Sequence, residues 1–158
     1  MKKLTLLLLG IIFTSVAAQA QVYNTGVGIR GGYYNGLTVK HFVSDEKAIE
    51  GILTTRWSGF QITGLMEFHN QLVGTDNFQW FYGLGAHIGS YNSKNTPRDH
   101  YDKEGTYTTM GVDAIIGLEY AFSEAPISIG LDYKPALNLV GSQYFASDAG
   151  ALSVRYTF

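Results

Sequence analysis

The sequence of 158 residues contains no cysteine and only three prolines. The absence of cysteine excludes disulfide scaffolds and thiol chemistry. Against those three prolines stand 19 glycines and 20 phenylalanines and tyrosines (nine and 11). Together these proportions suit a closed sheet with a crowded interior and aromatic rims.

Long apolar runs are also scarce, and the one at the amino terminus is short. Lys2 and Lys3 precede an apolar run from Leu4 to Phe13, and Ala18-Gln19-Ala20 follows it. A basic start, a short apolar stretch and a small-x-small motif are typical of a secretory signal peptide, whereas a spanning helix needs about 20 apolar residues. We therefore expect residues 1–20 to be a signal peptide and 21–158 to form one exported domain without a helical anchor.

Positive charge is in deficit. The chain has 11 Lys and Arg against 13 Asp and Glu, and without Lys2 and Lys3 the balance becomes 9 − 13 = −4. An anionic exported chain is a poor partner for nucleic acid, so none is expected.

Alternation of apolar with small or polar residues recurs through the rest of the chain. In the last segment Leu152, Val154, Tyr156 and Phe158 share one face. Such a period of two predicts strands. Eight of them are predicted, at 25–33, 37–43, 48–57, 60–69, 78–91, 107–122, 127–139 and 150–158.

Turn residues suggest how these strands connect. A three-residue loop at 34–36 would place Gly36 in the left-handed conformation, and Ser58-Gly59 would form a two-residue turn. Residues 70–77 and 141–148 are expected to be loops, and 92–105, which is polar and aperiodic, the longest loop. Pro135, which lacks an N–H, should mark a rim or a bulge.

The predicted turns also suggest a register. Pairing Trp57 with Phe60 would set Glu50 opposite Glu67, and the neighbouring hairpins would bring Lys40 beside Glu50 and Arg30 beside Lys40.

Charged residues on the polar faces of these strands balance in sign. A soluble barrel would turn them outward to water, whereas an outer-membrane barrel packs them together inside, where their charges must balance. The second interpretation predicts an interior charge network of Arg30, Lys40, Glu50, Arg56, Glu67, Asp113, Glu119, Asp132, Lys134 and Arg155. Eight strands leave room for side chains and little else, so the interior should be a plug rather than a wide channel.

The chain resembles the small eight-stranded outer-membrane β-barrel proteins of Gram-negative bacteria, of the OmpA and OmpX type. The resemblance covers essentially all of 21–158 and is carried by the alternating strands and the terminal Arg155-Tyr156-Thr157-Phe158. It implies an all-β, antiparallel, up-and-down transmembrane barrel in the cell outer membrane, in contact with lipid, with both termini in the periplasm. It also implies that Tyr156 and Phe158 form an assembly signal for the barrel-insertion machinery. The alternative is an exported soluble lipocalin-like barrel that binds an apolar ligand.

Catalytic motifs are weak. His41, His69 and His87 are the candidates, with Glu67 near His69, but no serine nucleophile is visibly paired with them. We expect no enzyme, cofactor or metal site, with a barrel enzyme acting on lipid as the alternative. The polar stretch 99–104 lacks the spacing of a calcium loop, and the loop within 92–106 is the candidate contact for an extracellular partner.

Overall fold

The computed structural model describes residues 23–56, 59–72, 74, 77–92, 106–140 and 145–158. These residues form eight strands, and each strand pairs antiparallel with the next while β1 pairs with β8. The strands are β1 (Thr25–Gly32), β2 (Asn35–Ser44), β3 (Lys47–Arg56), β4 (Gly59–Gln71), β5 (Phe78–Asn92), β6 (Thr106–Ala121), β7 (Ile127–Val140) and β8 (Phe145–Thr157). The predicted closed eight-stranded antiparallel barrel is confirmed.

The described part of the chain has no helical segment with the length and apolar content that a membrane-spanning helix requires.

The barrel is polar inside and apolar outside. In β7, Asp132 and Lys134 are buried while Leu131 and Tyr133 are exposed, because side chains alternate between the two faces of a strand. Leu84 in β5 and Leu139 in β7 are 71% and 72% exposed. Large apolar side chains therefore cover the outer surface.

One end of the barrel carries short turns, at 45–46 and 122–126, and also holds the start of β1 and the end of β8. We call it the short-turn end. Backbone hydrogen bonds of 2.8 Å join Thr25 and Phe158 in both directions there. Aromatic rings on or next to β4, β5, β6 and β8, which we call the aromatic band, lie on the outside near this end: Phe68, Phe78, Trp80, Tyr82, Tyr120, Phe122, Tyr156 and Phe158.

The register between β3 and β4 differs from the prediction by two residues. Thr55, not Trp57, lies opposite Phe60, so Glu67 pairs with Ala48 and Glu50 with Leu65. Residues 57–58, rather than Ser58-Gly59, therefore connect these strands. A shift of two preserves the face of every side chain, so alternation could not detect it.

The pairing of β1, β2 and β3 confirms one of the two contacts predicted for Lys40. Lys40 lies opposite Glu50, as expected. Arg30, however, pairs with Gly36, while Lys40 pairs with Gly26 on the other side. The prediction that Arg30 lies beside Lys40 is therefore wrong.

Gly36 also has a different role from the one predicted. The chain reverses at residues 33–34 and Gly36 lies inside β2, without the positive φ expected of it. A Cβ at this position would lie 2.0 Å from the carbonyl oxygen of Leu53. Glycine is needed here because two backbones approach closely.

A bulge between β7 and β8 explains the misplaced start of the last strand. Asp132 pairs with Ala151 and Lys134 with Asp148, so Ala149 and Gly150 together face Tyr133. Gly150 has a φ of 117°, which suits glycine. The extra residue interrupts the alternation, and for this reason β8 was expected to begin at 150 instead of Phe145. The bulge expected at Pro135 instead lies opposite Tyr133, and Pro135 itself pairs in register with Ser147 inside β7.

Candidate functional site

The charged residues expected inside the barrel are buried wherever the structure describes their side chains. Nine are at most 4% exposed: Arg30, Lys40, Glu50, Glu67, Asp113, Glu119, Asp132, Lys134 and Arg155. The side chain of the tenth, Arg56, lies outside the described part of the chain. The ion pairs described among these nine residues fall into three groups.

The largest group, the Lys40 group, is centred on the Lys40 ammonium. Its Nζ lies 2.8 Å from Glu67 Oε2, 2.9 Å from Glu119 Oε2 and 3.7 Å from Glu50 Oε2. These carboxylates come from β4, β6 and β3, so one cation links strands across the interior. Arg155 is the second cation of the group.

Arg155 reaches into the same group from β8. Its Nη2 donates to Glu50 Oε1, its Nη1 lies 3.5 Å from Glu119 Oε2, and its Nε donates to Thr38 Oγ1 at 3.3 Å. Thr38 in turn donates its hydroxyl proton to Glu50. Side chains from β2, β3, β4, β6 and β8 thus meet in one buried cluster.

Tyr23, which precedes β1, closes this group at the short-turn end. Its hydroxyl donates to Glu119 Oε1. Burial, and then the nearby Glu119 carboxylate, raise the pKa of the Tyr23 phenol. The phenol therefore remains a hydrogen-bond donor at neutral pH.

The second group is the pair of Arg30 and Asp132. Both terminal nitrogens of Arg30 donate to the two carboxylate oxygens of Asp132, and the Nη2–Oδ1 distance is 2.7 Å. Such two-point contacts fix the geometry of both side chains.

The third group, nearer the opposite end, joins β5, β6 and β7. Lys134 Nζ donates to Asp113 Oδ1 at 2.7 Å, and His87 Nδ1 lies 2.7 Å from Asp113 Oδ2. His87 Nε2 lies 2.9 Å from Asn138 Oδ1. Each ring nitrogen of His87 therefore has a hydrogen-bonding partner.

An apolar cluster inside the barrel was missed by sequence reasoning. Ile52, Leu65, Phe81 and Ile115 are buried together, and Lys40 Nζ lies 4.2 Å from the centroid of the Phe81 ring. A cation over an aromatic face is attracted by the ring quadrupole. Alternation could not reveal this cluster, because apolar residues such as Phe81 and Tyr82 are adjacent in β5 and both faces of the strand therefore look apolar in the sequence.

The three candidate histidines lie apart. His41 faces outward and its Nδ1 lies 2.9 Å from Thr25 Oγ1, while His87 belongs to the third group. His69 is buried, with Nε2 3.0 Å from Glu67 Oε2 and Nδ1 3.1 Å from Gln79 Oε1. The predicted neighbours Glu67 and His69 are thus in contact.

A cavity of about 320 Å³ opens beside His69 at the short-turn end. Asp45, Glu46, His69, Asn70, Gln71 and Gln79 line it. Within the described ranges, no three His, Asp or Glu side chains are arranged to hold a metal ion, and the polar stretch 99–104 lies outside those ranges.

Comparison with known proteins identifies the fold. No protein-family model matches the chain, and no curated protein matches it. Among solved structures, the chain is similar to the crystal structure of the N-terminal β-barrel domain of OprF from Pseudomonas aeruginosa. The TM-score is 0.68 at 16% sequence identity, over 87% of this chain and 100% of that one. At this identity the match bears on fold alone, and it confirms the predicted closed eight-stranded barrel.

Proposed function

We propose that this chain is an integral outer-membrane β-barrel protein with a plugged, charge-paired interior and a structural or surface-interaction role. The single observation that carries the proposal is the inverted polarity of the barrel. Ion pairs occupy its interior, while its outer face carries large apolar side chains around all eight strands.

Water is a poor solvent for such an outer face. Monomeric soluble proteins rarely expose a contiguous apolar patch larger than a few hundred Å², and a soluble lipocalin-like barrel would place these side chains inside. Lipid hydrocarbon solvates them favourably, and a closed barrel satisfies its backbone hydrogen bonds internally. The aromatic band suits the interface between hydrocarbon and headgroups.

The plugged interior is supported by size and by charge. An eight-stranded barrel has an interior just wide enough for side chains, and here Lys40, Arg155 and their carboxylate partners extend across it. Structural support of the envelope or contact with an outside partner fits such a barrel better than solute transport does.

The remaining parts of the proposal concern export and orientation. Residues 1–20 would direct export and be removed, and Tyr156 and Phe158 would be read by the barrel-insertion machinery. The short-turn end would face the periplasm, and the loop within 92–106 would face outward as the contact for an extracellular partner. The similarity to the OprF barrel domain supports the outer-membrane location.

Cell fractionation tests the proposal directly. Full-length protein expressed in a Gram-negative host should be recovered with outer membranes, and its gel mobility should change on heating, as expected for a barrel that survives detergent. Recovery in the soluble periplasmic fraction with no heat-modifiable mobility would favour the lipocalin-like alternative.

A further inference from the structure

The Lys40 group contains more carboxylates than cations. Of the nine described interior charges, four are cations and five are carboxylates. Arg30 pairs with Asp132, and Lys134 with Asp113. Among the described side chains, the excess carboxylate therefore falls on the Lys40 group, where Glu50, Glu67 and Glu119 lie with two permanent cations, Lys40 and Arg155.

Two oxygens of this group lack a donor. Glu50 Oε2 and Glu67 Oε1 accept no hydrogen bond from any N–H or O–H in the part of the chain that the structure describes. Both carboxyls also contact the same Lys40 Nζ, at 3.7 and 2.8 Å.

Ionised carboxylates only accept hydrogen bonds, so two of them cannot supply a donor to each other's free oxygens. Two carboxyls held beside one ammonium at a dry site are more stable with one proton between them, because two neighbouring negative charges repel each other. We propose that Glu50 and Glu67 form a buried proton-binding site that holds one proton between them at neutral pH. The Lys40 group is then neutral, with two cations and two negative charges.

Two cations and a third carboxylate face the pair, so each cation balances one negative charge and Glu119 repels a further charge on the pair. Lys40 from β2, Arg155 from β8 and Glu119 from β6 face it, and the Tyr23 hydroxyl reaches Glu119. The only other base in contact with Glu67 among the described residues is His69.

His69 is the alternative carrier of the charge, but apolar rings surround it. Its ring stacks on Phe81 with centroids 4.9 Å apart and meets Phe42 at 4.7 Å, an environment that favours a neutral imidazole. Because His69 also lines the cavity at the short-turn end, it connects the carboxyl pair with solvent. It would pass protons between the two.

The shared proton predicts a dependence of folding on pH. Unfolded glutamates are ionised above about pH 5, so unfolding at neutral pH would release the proton. The folded state then binds one proton more than the unfolded state, and the unfolding equilibrium constant should rise about tenfold for each unit of increasing pH. The contribution of the shared proton to the free energy of unfolding is fully present in acid, and it decreases as the pH rises.

Infrared spectroscopy of the full-length protein folded in lipid vesicles tests the site without any mutation. With isotope-labelled glutamate, a carbonyl stretch of a protonated carboxylic acid should appear at neutral pH. Glu67→Gln should abolish that band, because its amide N–H replaces the shared proton as donor to Glu50. Glu46→Gln, at the rim of the nearby cavity, should leave the band unchanged.

Reversible urea unfolding supplies the second measurement. Glu67→Gln should remove the tenfold dependence per pH unit, and Glu50→Gln serves if that variant does not fold. Absence of the carbonyl band from the wild-type protein would overturn the proposal. A pH slope that persists in Glu67→Gln but disappears in His69→Gln would also overturn it, because the proton would then reside on imidazole.

Discussion

Lys40 holds the interior together because three carboxylates on three different strands depend on its ammonium. Its side chain is fully buried, and its Nζ lies within 3.7 Å of Glu50, Glu67 and Glu119. Removal of one partner from a buried ion pair leaves an uncompensated charge, which is more harmful than replacing the whole pair by apolar groups. The residue is therefore a sensitive test of the charge-paired interior.

Lys40→Met should lower the free energy of unfolding by about 3–5 kcal/mol, since the methionine fills similar space but leaves the carboxylates without their central cation. Urea unfolding in lipid vesicles measures the change. Lys47→Met is the matched control, because Lys47 is exposed on the outer face of the adjacent strand, and it should have a much smaller effect. Equal effects at both positions would contradict the buried network.

Two glycines in adjacent strands differ in the space available for a side chain. A Cβ added at Gly85 in β5 would lie 2.0 Å from the carbonyl oxygen of Gly64, whereas one added at Gly64 in β4 would meet nothing within 4 Å. These two glycines lie on adjacent strands and on opposite faces of the wall.

Gly85→Ala should therefore destabilise the barrel by about 1–3 kcal/mol, through backbone displacement. Gly64→Ala should be neutral or stabilising by about 0.4–1 kcal/mol, because it reduces the entropy of the unfolded chain. Unfolding curves of the two variants, measured in parallel, check the difference in sign. A reversed order would mean that the strand pairing between β4 and β5 is not as described.

The strand faces could be predicted from the sequence, but the strand register could not. Alternation assigned Glu50 and Glu67 to the interior, because a side chain's face depends only on whether its position is odd or even. Their relative height depends on the number of residues in each turn and on bulges. The connection at 57–58 and the bulge at Gly150 were both misread for that reason. The three ion-pair groups follow from the register, so only their members were predictable, and not their grouping.

The outer face of β7 offers a depth test of the proposed membrane location. Ile127 and Leu131 point outward from the same strand, at its short-turn end and nearer its middle. Four residues separate them by about 13 Å along the strand. Leu131→Arg should cost about 2–4 kcal/mol in vesicles, and Ile127→Arg about 0–1 kcal/mol. Equal tolerance at the two positions would argue against a spanning sheet.

Considered as a whole, the barrel should not conduct ions like a porin. Side chains of the Lys40 group connect five strands across the interior, and the buried ion pairs between them fill the space that ions would have to cross. Purified monomer in planar bilayers should therefore show no large, stable conductance. Reproducible porin-sized channels from the monomer would refute the plugged interior while leaving the membrane location intact.

The surface-interaction role depends on the connection between β5 and β6. Strand pairing continues up to Asn92 opposite Thr106, so residues 93–105 can be replaced by Asn-Gly, which forms a two-residue hairpin turn. This variant should insert correctly and keep its heat-modifiable mobility, because the strand ladder remains intact. It should lose binding to the outside partner or to cells, measured against the unmodified protein on the same surface.

A lipid-modifying enzyme at the short-turn end predicts the reverse pattern, in which the loop variant keeps its activity and His69→Ala or Glu67→Ala abolishes lipid turnover. If the loop variant and both substitutions leave binding and turnover unchanged, the barrel's contribution is to the envelope itself, as the structural form of the proposed function requires.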